Sequence, residues 1–168
     1  ILLSFGFYGL DQYNRYRFAS GVPFRLITHE IPIQTQWVWV YFAYFPLCFL
    51  PLVFARVRND GDVFRRVAIG FLMQFSVAFL TFFLLPIRMI QPRFETVSLS
   101  GQVLAWLHGV DHGFNVFPSL HVANVFFLAA VVWHIKGKIW GAALTLVTLT
   151  VSVSTVLVGQ HCISDAVV

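Results

Sequence analysis

Charge is what this chain has least of: 11% of its residues are Asp, Glu, Lys or Arg, against about a quarter in an ordinary soluble domain. A chain so short of charge cannot cover its own apolar surface in water. With 58% hydrophobic residues and a mean hydropathy of +0.78, lipid is the solvent the composition calls for. Lysine is scarcer still, confined to Lys136 and Lys138, and the net charge of +4 comes mostly from arginine. No basic block stands out, which argues against nucleic acid as a partner. The two cysteines, Cys48 and Cys162, sit in apolar surroundings with no framework spacing, and read as packing residues. A basic leader is also missing: the chain opens within the apolar run Ile1–Leu10. No signal peptide is visible there, and we expect the chain to begin partway through its first spanning segment.

What is present is apolar length and aromatic bulk. Nineteen phenylalanines suit acyl chains and their interface. A bilayer core about 30 Å thick takes roughly 20 apolar residues as a helix. Four stretches reach or approach that length, about Trp37–Ala55, Val67–Ile87, Val116–Ile135 and Ile139–Val158. Ile1–Leu10 is too short to cross, and Ala166–Val168 begins another apolar run. The expected fold is all-α: one membrane-embedded domain over residues 1–168, a bundle of about six helices when complete, with the outer two cut. Within Arg88–Asn115, the stretch Ser98–His108 reads as a short interfacial helix, with Trp106 and Leu107 facing lipid.

The connecting segments alternate between two sides. Arg56–Arg66 and Lys136-Gly137-Lys138 share one side, with six Lys/Arg in two short loops. That density points to the cytoplasm. The longer segments Asp11–Gln36, Arg88–Asn115 and Gly159–Asp165 share the other side, with five arginines spread along them. Everything reactive falls on this second, non-cytoplasmic side.

Ionisable groups this close to spanning segments are costly and usually functional. Arg88 and Arg93 follow the second span, Ser119 and His121 open the third, and His161 and Asp165 follow the fourth. Pro118 suits the first helical turn, where its missing N–H costs nothing. The exposed N–H groups of a helix start favour a phosphate, and Ser119 adds a hydroxyl. A capped helix start with one satisfied histidine explains the same residues. His161 and Asp165 are spaced to share one helical face. A carboxylate there fixes the imidazole tautomer and frees the other nitrogen as a nucleophile, although a polar pair closing a helix end has the same spacing. Arg88 and Arg93 offer planar forks for phosphate oxygens, or simply snorkel at a helix end.

Taken together, these elements carry a resemblance. Pro118-Ser119-x-His121 resembles the central motif of the type 2 phosphatidic acid phosphatase superfamily. His161-x-x-x-Asp165, across one more span, looks like its third motif, and Pro86–Phe94 occupies the place of the first. The resemblance covers about residues 30–168. The usual first motif, K-x-x-x-x-x-x-R-P, has lost its lysine here. Ser154-Thr155 stands where the third motif usually has Ser-Arg. In these departures the chain resembles the branch that holds the inositol phosphorylceramide synthases and related bacterial proteins.

The resemblance implies an enzyme: a lipid phosphate phosphatase or a head-group phosphotransferase of the inositolphosphotransferase kind. It implies that His161 attacks phosphorus to form a phosphohistidine and that Asp165 orients it. His121 would protonate the leaving oxygen and then activate the acceptor. Arg88, Arg93 and Ser119 would hold the phosphate oxygens. The implied partners are a phosphorylated lipid and the surrounding membrane lipids, with no cofactor and no metal. In-line transfer sets a geometric expectation: the His121 and His161 ring nitrogens about 5–8 Å apart across a gap.

Two alternatives stand beside this reading. His108-Gly-Val-Asp-His112 has the histidine spacing of a helical zinc pair, but it lacks the Glu of a metalloprotease motif and contains a glycine. His112 or Asn115 could instead line the pocket mouth, while His29 and His134 read as interfacial or packing residues. The alternative function is a non-catalytic multi-pass protein that only binds a phosphorylated lipid. A polar transport pathway would need charge in mid-membrane, where the four spans offer only Gln74, Asn124 and hydroxyls.

Overall fold

The computed structural model of the chain describes residues 2–29, 31–57, 60–85 and 87–163. Helix α1 covers Leu2–Ala19 and strand β1 covers Arg25–Thr28. A single 3-10 turn, Thr35–Trp37, leads into α2 (Val38–Phe42) and α3 (Tyr44–Val57). Then come α4 (Gly61–Leu84), β2 (Ile87–Ile90), α5 (Leu99–Val110), α6 (Leu120–Lys136) and α7 (Lys138–Leu157). The architecture is an all-α membrane bundle, with one small two-stranded sheet at the end where the reactive residues gather.

Among the described residues, three segments are long and apolar enough to cross a membrane: Thr35–Val57, Gly61–Leu84 and Lys138–Leu157. At 1.5 Å per residue, α4 is about 36 Å long and α7 about 30 Å. Helix α6 has 17 residues, near the lower limit of roughly 17 for a span. Along α4, Ile69, Leu72, Met73, Val77, Leu80 and Leu84 are all exposed. Their three-and-four spacing makes one stripe, which in a bilayer faces acyl chains.

Local chemistry sets the boundaries. Helix α4 starts where the Asp60 carboxylate accepts from the N–H groups of Asp62 and Val63, both at 3.1 Å. It stops at Leu84, ahead of Pro86 in the sequence, because a residue before proline is pushed out of the helical region. The expected span Val67–Ile87 is corrected here: Ile87 belongs to β2, and the helix reaches back to Gly61. The first expected span, about Trp37–Ala55, is found as the apolar segment Thr35–Val57, with one irregular residue, Ala43, between α2 and α3. Pro46 lacks the N–H that would bond to the Phe42 carbonyl and its ring crowds that carbonyl. Helix α1 continues to Ala19, well into the segment expected as a connection. Helices α6 and α7 form a hairpin on Gly137, whose φ of 88° is open to glycine at little cost.

Beyond the spans, β1 and β2 pair in parallel, with Leu26 opposite Arg88 and Ile27 opposite Met89. Neither strand was expected, since four residues carry too little periodicity to read. The Met89 N–H also donates to the Gly113 carbonyl at 2.9 Å, which ties the segment before α6 to the sheet. Helix α5 is capped by Ser98, whose hydroxyl accepts from Gly101 N–H at 3.0 Å. Trp106 on α5 is exposed as expected, but Leu107 is buried against Tyr41, Val38 and Val158. Toward the opposite end, Ala55, Val67 and Val131 pack together, with Ile135 beside them. The Arg56–Arg66 and Lys136–Lys138 connections therefore share the end remote from the histidines.

Candidate active site

Two helix ends bring the site together. Helix α6 begins at Leu120 with Ser119 as its cap, the Ser119 hydroxyl accepting from Val122 N–H at 3.3 Å. His121 is thus the second residue of the helix and is buried. Pro118 lies ahead of the cap, not inside the first turn as expected, because Ser119 takes the capping position. After α7, Gly159 turns the chain at a φ of 68°. The Gln160 and His161 N–H groups then both return to the Thr155 carbonyl, at 3.0 and 3.1 Å. That turn folds His161 back under the start of α6, where it is 2% exposed. His161 therefore sits in a bend beyond the end of α7. Asp165 lies outside the described residues.

The result is direct contact. His121 Nδ1 is 3.1 Å from His161 Nε2, across forty residues of sequence. The expected separation of about 5–8 Å is corrected to hydrogen-bond distance, because the two rings meet edge to face at 5.3 Å between centroids. On the far side of His121, Tyr41 Oη is 2.7 Å from Nε2, and the Tyr44 ring packs at 4.4 Å. His161 Nδ1 is buried, with no hydrogen bond to it among the described residues. Burial pushes the His161 imidazole down to about 4, and the neighbouring Val116 backbone only partly offsets it. At neutral pH this ring is uncharged and its lone pair is available.

The arginines separate. Arg88 on β2 carries its guanidinium 4.3 Å from the centre of the Phe18 ring and 5.1 Å from that of Phe114. Its Nε is buried without a partner among the described residues, so a donor is still unused there. Arg93 is exposed and lines a different surface cavity with Gln36, Glu95 and Ser98. The structure does not bring it to the histidines.

A cavity of about 150 Å³ adjoins His121, with Tyr8, Tyr41, Tyr44, Phe45 and Asp111 on its walls. Phe49 also borders it, and Phe45 and Phe49 are exposed on the outer face of α3. One carboxylate oxygen of Asp111 accepts from Gly113 N–H at 3.0 Å, the single hydrogen bond to that carboxylate among the described residues. Burial raises Asp111 to about 6, despite that bond.

The histidines of the zinc-like motif are engaged separately. His108 Nε2 is 2.9 Å from the Val158 carbonyl. His112 lies beyond the end of α5, with Nδ1 2.7 Å from Asp11 Oδ2 and Nε2 3.1 Å from Arg15 Nη1. Neither His112 nor Asn115 lines the cavity, contrary to expectation; the Asn115 amide donates instead to the Phe7 carbonyl at 2.8 Å. His29 packs with Nε2 2.7 Å from the Val156 carbonyl, and His134 is exposed at the end of α6. In mid-membrane, Gln74 donates to Asn124 at 2.9 Å and Asn124 to Tyr44 Oη at 2.8 Å. The three satisfy one another, as buried polar groups in lipid must.

Tyr41, Tyr44 and Asp111 were not singled out from the sequence. Two tyrosines three apart at the start of an apolar span were the available signal, because a buried hydroxyl needs a partner. Asp111 was weighed only as part of the zinc-like motif.

No curated protein and no solved structure matches the chain. The PAP2 superfamily profile matches residues 15–168, a range that holds Arg88, Ser119, His121 and His161. The chain belongs to the PAP2 superfamily, whose members are enzymes of phosphatase or phosphotransferase type.

Proposed function

We propose that this protein is a membrane-embedded lipid phosphate phosphatase or head-group phosphotransferase that works through a phosphohistidine on His161. The observation that carries the proposal is the 3.1 Å contact between His121 Nδ1 and His161 Nε2. Two histidines from separate helix ends then address one small volume, one as nucleophile and one as acid and base.

A phosphoryl group takes the place of that hydrogen bond and parts the rings by roughly 2–5 Å. His161 Nε2, neutral and unprotonated, attacks phosphorus. His121 Nδ1, on the opposite side, protonates the departing oxygen. Water or an alcohol then resolves the phosphohistidine, with His121 as its base. Arg88 and Ser119 are proposed to bind the equatorial oxygens, and Asp165 to orient His161. Arg93, on a separate surface cavity, has no part in this scheme. Histidine and arginine cover the nucleophile and the charge, so no metal is required in this scheme.

The substrate's apolar part supports the lipid reading. The cavity borders His121, the side of the leaving group, and its wall includes Phe45 and Phe49 on the outer face of α3. A lipid alcohol enters there from the bilayer. The departures from the common motifs favour an alcohol acceptor of the inositol phosphorylceramide synthase kind over water.

The test is turnover by the full-length protein in detergent. Phosphate release from labelled phosphatidic acid is compared with transfer from labelled phosphatidylinositol to a lipid alcohol, each with and without EDTA. Turnover of either, insensitive to EDTA and lost in His161→Asn, supports the reading. Turnover that survives His161→Asn, or that EDTA abolishes and zinc restores, overturns it.

A further inference from the structure

The Tyr41–His121 contact has a chemical consequence. Tyr41 is 1% exposed, clamped among Val38, Leu104, Leu107 and Val158. The His121 ring is its single hydrogen-bond partner among the described residues, with Oη 2.7 Å from Nε2. A phenol hydroxyl both donates and accepts. It can therefore accept from Nε2–H in the imidazolium and in the neutral tautomer that leaves Nδ1 bare, and donate to Nε2 only when Nδ1 holds the single proton. In every protonation state Nε2 is occupied, and Nδ1 is the nitrogen left facing His161.

We infer that Tyr41 is the positioning residue of His121: its hydroxyl holds Nε2 and reserves Nδ1 for proton transfer. The inference rests on the proposed role of His121 as acid and base. In the first step the imidazolium of His121 gives its Nδ1 proton to the departing oxygen. The bond from phosphorus to that oxygen breaks as the bond to His161 Nε2 forms. In the second step Nδ1 takes the proton of the incoming hydroxyl. Its oxygen bonds to phosphorus and the phosphorus–nitrogen bond breaks, which returns both rings to their first state. Throughout, Nε2–H stays on the Tyr41 oxygen, so the ring does not turn over between steps.

No sequence motif marks this residue. Tyr41 lies on the five-residue helix α2, one turn ahead of Tyr44 at the start of α3. Both tyrosines meet the imidazole, Tyr41 at its nitrogen and Tyr44 against its ring.

The experiment pairs kinetics with spectroscopy on the full-length protein. Tyr41→Phe keeps the ring and removes only the hydroxyl. With a lipid phosphate that the wild type turns over, kcat of Tyr41→Phe should fall at least about tenfold with KM within about twofold. In protein labelled with 15N-histidine, the wild type should show His121 Nε2 in a strong hydrogen bond, assigned by loss of the signal in His121→Asn. Tyr41→Phe should lose that signature while keeping the wild-type elution volume. An unchanged kcat, or a wild-type spectrum in which His121 Nε2 has no hydrogen bond, would overturn the inference. So would a loss confined to KM or to thermal stability. The spectrum needs no turnover, so it judges Tyr41 even if every lipid phosphate proves inert; inert substrates would count against the proposed function instead.

Discussion

Asp11 and His112 lie 101 residues apart, yet Asp11 Oδ2 is 2.7 Å from His112 Nδ1. Arg15 approaches the other ring nitrogen at 3.1 Å. A guanidinium only donates, so Nε2 accepts from Arg15 while Nδ1 donates to Asp11, and His112 links the two. The chain Asp11–His112–Arg15 fastens α1 to the segment ahead of α6.

The first prediction tests that clasp. Asp11→Ala removes a carboxylate that is 1% exposed and leaves the His112 donor without its acceptor. We expect a loss of about 1–3 kcal/mol, read as a lower midpoint of thermal unfolding in detergent. An unchanged midpoint would mean that the contact holds nothing together.

The second prediction separates the two arginines. Arg88 has a buried Nε with no hydrogen-bond partner among the described residues, whereas Arg93 is exposed on another surface. Arg88→Ala should lower kcat/KM about a hundredfold, in the range for one charge-stabilising donor. The effect of Arg93→Ala should be at least tenfold smaller, roughly what a peripheral contact carries. Equal losses would show that both guanidiniums reach the phosphate.

What the sequence revealed, and what it hid, follows from range. The spans were legible because composition alone fixes them, as with α7, expected at Ile139–Val158 and found at Lys138–Leu157. Pairing His121 with His161 needed spacing and order, both of which lie along the chain. The partners of those residues did not. Tyr41 reaches His121 across eighty residues, and nothing in an apolar run says which hydroxyl will meet which ring. Strand β2 was hidden in the same way, since Ile87–Ile90 is extended only because β1 lies beside it. The separation of the histidines was misjudged because an in-line reaction was taken as the reference, and the folded rings touch.

The third prediction concerns pH. The His161 pKa lies near 4, below its ordinary value of 6.5, because burial disfavours the charged ring. The nucleophile is the neutral form, present above the folded value and lost as pH falls through it. The acid limb of kcat/KM, which reports the free enzyme, should therefore lie near pH 4. A limb near 6.5 would place the nucleophile in a solvated setting. Protonation also opposes folding between those two values, so stability should decline as pH falls from about 6.5 toward 4.

The fourth prediction concerns orientation. We propose that the end bearing Arg56–Arg66 and Lys136–Lys138 faces the cytoplasm, which puts the histidines on the outer or lumenal side. Single cysteines at position 59 and at the exposed position 97, in a background free of Cys48 and Cys162, report this with an impermeant thiol reagent. Position 97 should label in sealed cells and position 59 only after lysis. The reverse pattern would invert the protein.

The central claim is that His161 carries the phosphoryl group between the two half-reactions. The most direct measurement is rapid quenching of the full-length protein with a lipid labelled in its phosphate, under alkaline conditions that preserve phosphohistidine, followed by peptide mapping. The account predicts label on the peptide containing His161, bound through nitrogen and lost in acid, present in Arg93→Ala and missing from His161→Asn. Turnover with no labelled enzyme, or label on His121 or on a serine, would contradict it.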